Sequence, residues 1–400
     1  MSEKRGVVDL VNDLITRAIR ERASDVHIDP DVHDTRVLFR IDGVLALADR
    51  IPLAITPNVI ARLKVLAGLL TYQTDTPQEG GIRAAAAGLE PGRHTGGFES
   101  DIRVSTFPTI RGERAVLRIM ANTRRFLALH ELGHDPGLVE RLQTLLARTQ
   151  GLMLVVGPAG SGKTTTLAAM LDYLVRARPG ASIMSIEDPV EIQIAGVTQT
   201  QLQPARGFTY ATALRSLLRQ DPQVLMIGEI RDAEVAHIVI DAALTGHLVL
   251  STMHSGEAAA AIIRLRDMDV PAYQITSTLQ AVLAQRLVRR VGAGPRADGG
   301  AATGESRAGD GAATEGTPPD ESRGARGSPS TGRVAIGHLV QMSEALSAAI
   351  RAGADQAQLT AHCAPGSLEA DAERLLRSGL TTPDEVLRCL GSERPSEPRP

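Results

Sequence analysis

Residues 152–167 read LMLVVGPAGSGKTTTL: five apolar residues, Leu152 to Val156, then Gly157-Pro158-Ala159-Gly160-Ser161-Gly162-Lys163-Thr164, then Thr165 and the start of a helical run. A strand, a G-x-x-x-x-G-K-[ST] loop and a helix in that order make a phosphate-binding loop. Glycines let backbone amides turn inward around phosphate oxygens, Lys163 reaches the β and γ oxygens of a nucleotide, and the Thr164 hydroxyl ligates Mg2+. The pattern predicts an ATP site resting on a buried strand.

Around this unit, strand-length apolar runs alternate with helical spacing. Ser182 to Ile186, Val224 to Ile227 and His247 to Ser251 read as strands, and 209–219 and 232–244 as helices. Continuous apolar strands separated by helices predict an α/β fold with a parallel sheet covered on both faces. A smaller α+β region precedes it. Val7, Leu10, Val11, Leu14, Ile15 and Ala18 recur at helical spacing, and strands follow at Asp25 to Asp29, Arg36 to Ile41 and Val44 to Ala48, with a hairpin turn at Asp42-Gly43. A helix is expected over 56–70, and two more strands at Asp101 to Thr106 and Glu113 to Met120.

A phosphate loop hydrolyses nothing unless acidic groups hold metal and orient water. Two candidates stand at ends of the predicted parallel strands, where such sheets bind ligands. Glu187 lies in Ser185-Ile186-Glu187-Asp188-Pro189, and Glu229 in Met226-Ile227-Gly228-Glu229-Ile230-Arg231-Asp232. The usual strand-end Asp position is Gly228, so the carboxylate moves to Glu229, whose longer side chain reaches Mg2+ through water or polarises the attacking water. His247 opens a third strand and His254 closes it. His254 therefore falls at the same edge as the acids, where it is placed to sense the γ-phosphate.

Composition excludes several other classes. Among 400 residues there is no Trp, with four Tyr and five Phe, so aromatic platforms for single-stranded nucleic acid are scarce. Lys+Arg is 43 against Asp+Glu 46, a net charge of −3, with no basic excess to hold a polyanion. No nucleic-acid partner is expected. Two cysteines, Cys363 and Cys389, cannot build a four-thiolate zinc site or a disulfide framework and predict a reduced, cytoplasmic protein. The N-terminal stretch has scattered charges where a signal peptide needs an apolar core. The most apolar long window, Val235 to Met253, is interrupted by His237, Asp241 and His247, so no direct membrane insertion is expected.

Residues 292–332 contain no Ile, Leu, Val, Met, Phe, Tyr or Trp but 11 glycines, and are expected to be a disordered Gly-rich insert. Patterning resumes at Arg333 to Gln341 and continues through helical stretches near 367–378 and 382–390. The last residues, 391–400, are read as a fraying tail.

Four boxes in order, GPAGSGKTTTL (157–167), SIEDPVE (185–191), LMIGEIRD (225–232) and TGHLVLSTMHS (245–255), resemble the secretion ATPase family that powers type II secretion and type IV pilus assembly. Upstream, ASDVHIDP (23–30), FRIDGVL (39–45), ARLKVLAGL (61–69) and DIRVSTFPTIRGERAVLRI (101–119) resemble its N-terminal domain. Downstream, LAQRLVR (283–289), GRVAIGHLV (332–340) and LEADAERLLRSGLTTPDEVL (368–387) resemble its C-terminal part, a region that favours assembly over retraction.

The resemblance implies a PAS-like N-terminal domain at 1–122, a linker at 123–130, a RecA-like P-loop ATPase domain at 131–291, and a C-terminal helical part of that domain at 333–390. It implies a homo-hexamer, with Glu187 and Glu229 handling metal and water, His254 beside them, and Arg103 and Arg118 reaching the nucleotide from the N-terminal domain. It also implies a polytopic inner-membrane platform protein as partner and a peripheral position at the inner face of the cytoplasmic membrane. A pilus-retraction ATPase or a non-hydrolysing nucleotide-gated scaffold is the alternative. The four-cysteine zinc segment that assembly members carry after LAQRLVR is replaced here by the Gly-rich stretch, so no zinc is expected. The chain starts almost at the PAS-like domain, which implies no extra recruitment domain. Ala159 and Gln223 stand where the family mostly has Thr and Asp.

Overall fold

The computed structural model describes residues 6–83, 101–120, 128–203, 206–291, 330–363 and 366–391. In chain order they form α1 (Val7–Arg20), β1 (Asp25–Pro30), β2 (Asp34–Ile41), β3 (Val44–Pro52), α2 (Thr56–Ala67), β4 (Gln78–Arg83), β5 (Asp101–Thr109) and β6 (Gly112–Met120). Next come α3 (Pro136–Leu146), β7 (Gly151–Val156), α4 (Lys163–Ala177), β8 (Ile183–Glu187), β9 (Thr198–Gln201), α5 (Tyr210–Leu217), β10 (Val224–Ile227), α6 (Ala233–Leu244), β11 (Leu248–Met253), α7 (Ala258–Asp267), α8 (Ala272–Thr278) and β12 (Leu279–Val291). The chain ends in β13 (Ser330–Gln341), α9 (Glu344–Arg351), α10 (Gln356–Ala361), α11 (Leu368–Arg377) and α12 (Pro383–Leu390).

The first sheet runs β3-β2-β1-β6-β5-β4, every neighbouring pair antiparallel. Its strands alternate: Val26, Ile28, Val37, Phe39, Ile102, Val104, Ala115 and Leu117 are buried against Val11, Leu14 and Ile15 of α1 and Val59, Ile60 and Leu63 of α2. The intervening residues, Arg36, Arg40, Arg103, Arg114 and Arg118 among them, line the opposite face together with Leu38 and Val116. Asp42 and Gly43 both have positive φ, 48° and 85°, the twist a two-residue hairpin requires between β2 and β3. The helix expected over 56–70 stops at Ala67, because Gly68 takes a left-handed conformation, φ 70°, and caps it.

The second sheet runs β13-β12-β7-β11-β10-β8-β9. Every residue of β7, β10 and β11 is buried, which is why these strands read as unbroken apolar runs. Successive residues of β7 serve opposite faces: Leu152, Leu154 and Val156 pack with α5 to α8, and Met153 and Val155 with α3 and α4. Both faces are covered, as expected, but the sheet is not wholly parallel. β13 returns antiparallel to β12 and forms one edge.

That edge also corrects the reading of 292–332. Its last three residues, Ser330 to Gly332, begin β13, with Ser330 opposite Val291 and Arg333 opposite Arg289. Ladder pairing uses backbone donors and acceptors, so the lack of apolar side chains did not forbid it. Residues 292–329, residues 121–122 at the end of the expected N-terminal domain, 123–127 of the expected linker and 392–400 of the expected tail lie outside the described residues. The terminal helix is tied to β12 through Glu385, which accepts from Arg289 N at 2.9 Å, Arg289 Nε at 2.9 Å and Arg388 Nη2 at 2.5 Å. Burial alone raises this carboxyl's pKa, but the hydrogen bonds from Arg388 and Arg289 prevail and hold it at about 2.

His134, only 5% exposed, is pressed so closely on β13 that a Cβ at Gly337 would meet its Nδ1 at 2.8 Å. Burial lowers its pKa to about 4, against the opposing influence of Asp371. The folded pKa lies below the unfolded value of 6.5, so the unfolded chain takes up this proton first as pH falls. The group's contribution is complete above pH 6.5 and lost on descent to about pH 4, about 3 kcal/mol in all. Thermal melts between these pH values should therefore fall more steeply for the native chain than for His134→Phe; equal slopes would refute it.

Candidate active site

The phosphate loop leaves β7 at Val156 and enters α4 at Lys163. Gly160 and Gly162 adopt left-handed φ of 75° and 88°. At 162 a side chain is excluded twice, since a Cβ there would also lie 2.9 Å from Gln285 Nε2. Pro158, Ala159 and Gly160 form the exposed crest, whereas Gly157 and Ser161 are buried and Thr164 and Thr165 half-buried in the first turn of α4. Lys163 Nζ curls over the loop and donates to Gly157 O at 2.8 Å and Pro158 O at 3.0 Å. Burial lowers the lysine's pKa, and the nearby Glu229 carboxylate opposes that shift.

Gln285 on β12 is a site residue that motif reading passed over, although it stands inside LAQRLVR. Wholly buried, it donates from Nε2 to Ser161 O at 2.7 Å and accepts at Oε1 from Thr166 Oγ1 at 2.8 Å. One amide thus clamps the loop to the helix that follows it. Its neighbour Arg286 donates to Gly256 O at 3.0 Å, joining β12 to the loop beyond His254.

The strand ends meet because β8, β10 and β11 run in register, Ile186 beside Ile227 and Ile227 beside Ser251. The chain after β10 is then threaded between its neighbours: Gly228 N donates to Ile186 O at 2.9 Å, Thr252 Oγ1 to Gly228 O at 2.7 Å, and Ile230 N to Thr252 O at 2.9 Å. These bonds fix the backbone of Glu229. Its Oε2 lies 3.1 Å from His254 Nε2, and its Oε1 accepts from Arg231 Nε. Arg231 also reaches toward Asp188, 3.7 Å away, so one guanidinium spans both acidic strand ends. The two histidines flank β11, with His254 at the acid edge and His247 at the opposite end bonded to Ala242 O at 2.8 Å.

Glu187 sits deeper. Its Oε1 accepts from Ser185 Oγ at 2.6 Å and Gln199 Nε2 at 2.9 Å, and burial raises its pKa. Gln199 belongs to β9, a polar edge strand with no apolar pattern to reveal it.

Arg103 and Arg118 belong to the other sheet. They are direct cross-strand partners on β5 and β6, Arg118 lies opposite Asp25 of β1, and Asp25 opposite Arg40 of β2. Partners across a sheet share a face. Three arginines and one aspartate thus form a row, with Arg118 Nε 3.0 Å and Arg40 Nε 3.5 Å from Asp25. Arg103 and Arg118 are exposed, and Arg118 pairs with Asp25 of its own sheet.

The family described as type II/IV secretion system protein matches residues 1–388 of this chain. Type II secretion system protein E of Xanthomonas campestris pv. campestris is 43% identical over 291 residues, covering 73% of this chain and 49% of that protein. The chain thus spans about half the length of that relative. Type II secretion system protein HxcR of Pseudomonas aeruginosa is 39% identical over 387 residues, 96% of this chain and 77% of its own. In fold, the X-ray structure of the Legionella pneumophila ATPase DotB superposes with a TM-score of 0.67 at 19% identity, over 96% of both chains. That likeness gives the second sheet its fold description, a RecA-like P-loop unit, with the antiparallel sheet before it. With a phosphate loop, strand-end acids and a match running from end to end, this chain belongs to the type II/IV secretion system protein family.

Proposed function

We propose that this chain is an ATP-hydrolysing motor that works as a homo-hexamer and powers pilin or pseudopilin assembly in a type II secretion or type IV pilus system. The observation that carries the reading is that the phosphate loop leaves β7 beside the end of β11, Val156 opposite Met253, and that His254, just past β11, holds with Arg231 the one carboxylate Glu229. The relatives' names support the system, since both are called type II secretion system proteins.

In this reading the loop amides from Gly157 to Thr165, apart from Pro158, which has no N–H, and the Lys163 ammonium bind the β and γ phosphates. The donor set suits Mg2+: one hydroxyl, Thr164, and one carboxylate, Glu229, leave the other positions to water and phosphate oxygens, as that ion is usually held. Among the described residues no three His, Cys, Asp or Glu side chains form an all-protein metal cage, and this chemistry needs none; nor does it need zinc. When bound, Mg2+ offsets charge on the phosphates. Glu229 orients the attacking water, and His254 sits on the carboxylate's other oxygen, where it responds to the γ-phosphate. Glu187, kept inward by Ser185 and Gln199, supports the metal-water side.

The N-terminal PAS-like domain, residues 1–122, and the ATPase domain, 131–291 with 333–390, move relative to one another through the linker. Closure brings Arg103 and Arg118 to the nucleotide. No helix among the described residues is long and apolar enough to cross a membrane, and the reading assigns membrane contact to a polytopic inner-membrane platform protein. The motor then sits in the cytoplasm against the inner face of the membrane.

Phosphate release by the purified chain, with and without Mg2+ and with and without DNA, tests the proposal. Mg2+-dependent hydrolysis indifferent to DNA is expected. A chain that binds ATP and releases no phosphate is a nucleotide-gated scaffold, and stimulation by DNA marks a nucleic-acid translocase.

A further inference from the structure

Tyr210 opens α5 beneath the acidic edge, and no motif pointed to it. Its ring lies under Arg231, with the guanidinium carbon 5.9 Å from the ring centroid, a cation–π contact. Its hydroxyl occupies the place that a side chain at residue 228 would take: a Cβ built there would lie 2.7 Å from Tyr210 Oη. Gly228 does not need a positive φ, so its missing side chain answers to this neighbour. Glu187, Asp188, Glu229 and Arg231 all lie close enough to act electrostatically on the phenol. Burial pushes its pKa upward, so it remains a neutral hydroxyl among these acids.

We infer that Tyr210 is a positioning residue for Glu229: its ring carries the Arg231 guanidinium, Arg231 holds one oxygen of Glu229, and the phenol oxygen fills the space that keeps residue 228 a glycine. The inference rests on the hydrolytic reading of the site. Arg231 is more than half exposed, so its bond to Glu229 competes with water unless something fixes the guanidinium plane. A flat aromatic face does that, whereas an aliphatic side chain of similar bulk lacks the ring's negative face. Glu229 then meets its water in one orientation, which lowers the barrier without changing how ATP is held.

The test is a kinetic cycle on the full chain with Mg-ATP. Tyr210→Leu should lower kcat about tenfold with KM unchanged, and Tyr210→Phe should keep most of the native rate. Arg231→Gln should show a similar loss, and the double variant should be no slower than Arg231→Gln alone, because both act through one contact. Gly228→Ala should impair folding and activity, and adding Tyr210→Phe should recover them by removing the oxygen. Should Tyr210→Leu fail to fold, Tyr210→Met takes its place. Multiplicative losses in the double variant, a native rate in Tyr210→Leu, or no recovery of Gly228→Ala by Tyr210→Phe would overturn the inference. A native chain that releases no phosphate strikes instead at the hydrolytic reading.

Discussion

Lys163→Ala is expected to abolish measurable ATP binding, while Glu229→Gln binds ATP as the native chain does and no longer turns it over. The ammonium of Lys163 lies at the mouth of the loop, held by two of the loop's own carbonyls, and remains within the influence of Glu229. A phosphate draws it away from those carbonyls into charge-assisted bonds, worth about 1.5 to 3 kcal/mol each. Losing two such bonds weakens binding by about 10² to 10⁴. Glu229 works later in the reaction. Its carboxylate is anchored through the backbone bonds of Gly228 and Ile230 and through His254 and Arg231, none of which belongs to the phosphate loop. A glutamine keeps an acceptor for Arg231 and turns its amide toward His254, so the geometry survives while basicity is lost. Removing a general base or water-positioning group costs about 10² to 10⁴ in rate. Titration with a fluorescent ATP analogue and a phosphate-release assay separate the two effects. Native turnover by Glu229→Gln would mean that another group activates the water.

The parts of this site that could be read from the chain are those whose environment leaves a one-dimensional trace. β7, β10 and β11 are buried on both faces, so their sequences are unbroken apolar runs, and whatever follows them stands at the sheet's functional edge. Glu229 after β10 and His254 after β11 are legible that way, and so is Glu187 at the end of β8, where only Met184 is less than buried. β4 and β9 left no such trace. In β4, Gly80 faces the end of α2 so closely that a Cβ would lie 2.4 Å from Ala67 O, and Ile82 is the buried apolar side chain. β9, Thr-Gln-Thr-Gln, is a polar edge strand whose Gln199 is revealed by what it touches. Gln285 and Tyr210 are harder still. Each acts on residues far off in the chain, Gln285 on Ser161 and Thr166, Tyr210 on Gly228 and Arg231, and sequence periodicity carries no information about such pairings. Gly228 is instructive because its departure from the usual acid was visible at once, while the reason for it, a phenol oxygen from another helix, needed three dimensions.

Arg103→Ala and Arg118→Ala are each expected to lower hydrolysis by about 10³ to 10⁵ while leaving ATP affinity nearly unchanged, the effect of removing a fixed guanidinium from phosphoryl transfer. The row Arg103, Arg118, Asp25, Arg40 carries a net positive charge, and like charges placed opposite one another across a strand pair are destabilising. Asp25 relieves the repulsion for two of the three, bonding Arg118 and Arg40, and Arg118 is still 68% exposed. Exposed pairs of this kind add little stability, and the row's net positive charge suits an anion. The phosphate loop supplies the ground-state contacts, so affinity survives the loss of either arginine. A chain beginning at residue 126 should likewise bind ATP and hydrolyse it poorly. Lysine at either position should restore little, because a point charge on a flexible stem does not reproduce the planar fork. Single-turnover rates and nucleotide titrations on the full chain distinguish these outcomes. If the shortened chain hydrolyses ATP as fast as the full one, the antiparallel sheet contributes nothing to the reaction, and hydrolysis has no physical means of driving one part of the molecule against the other.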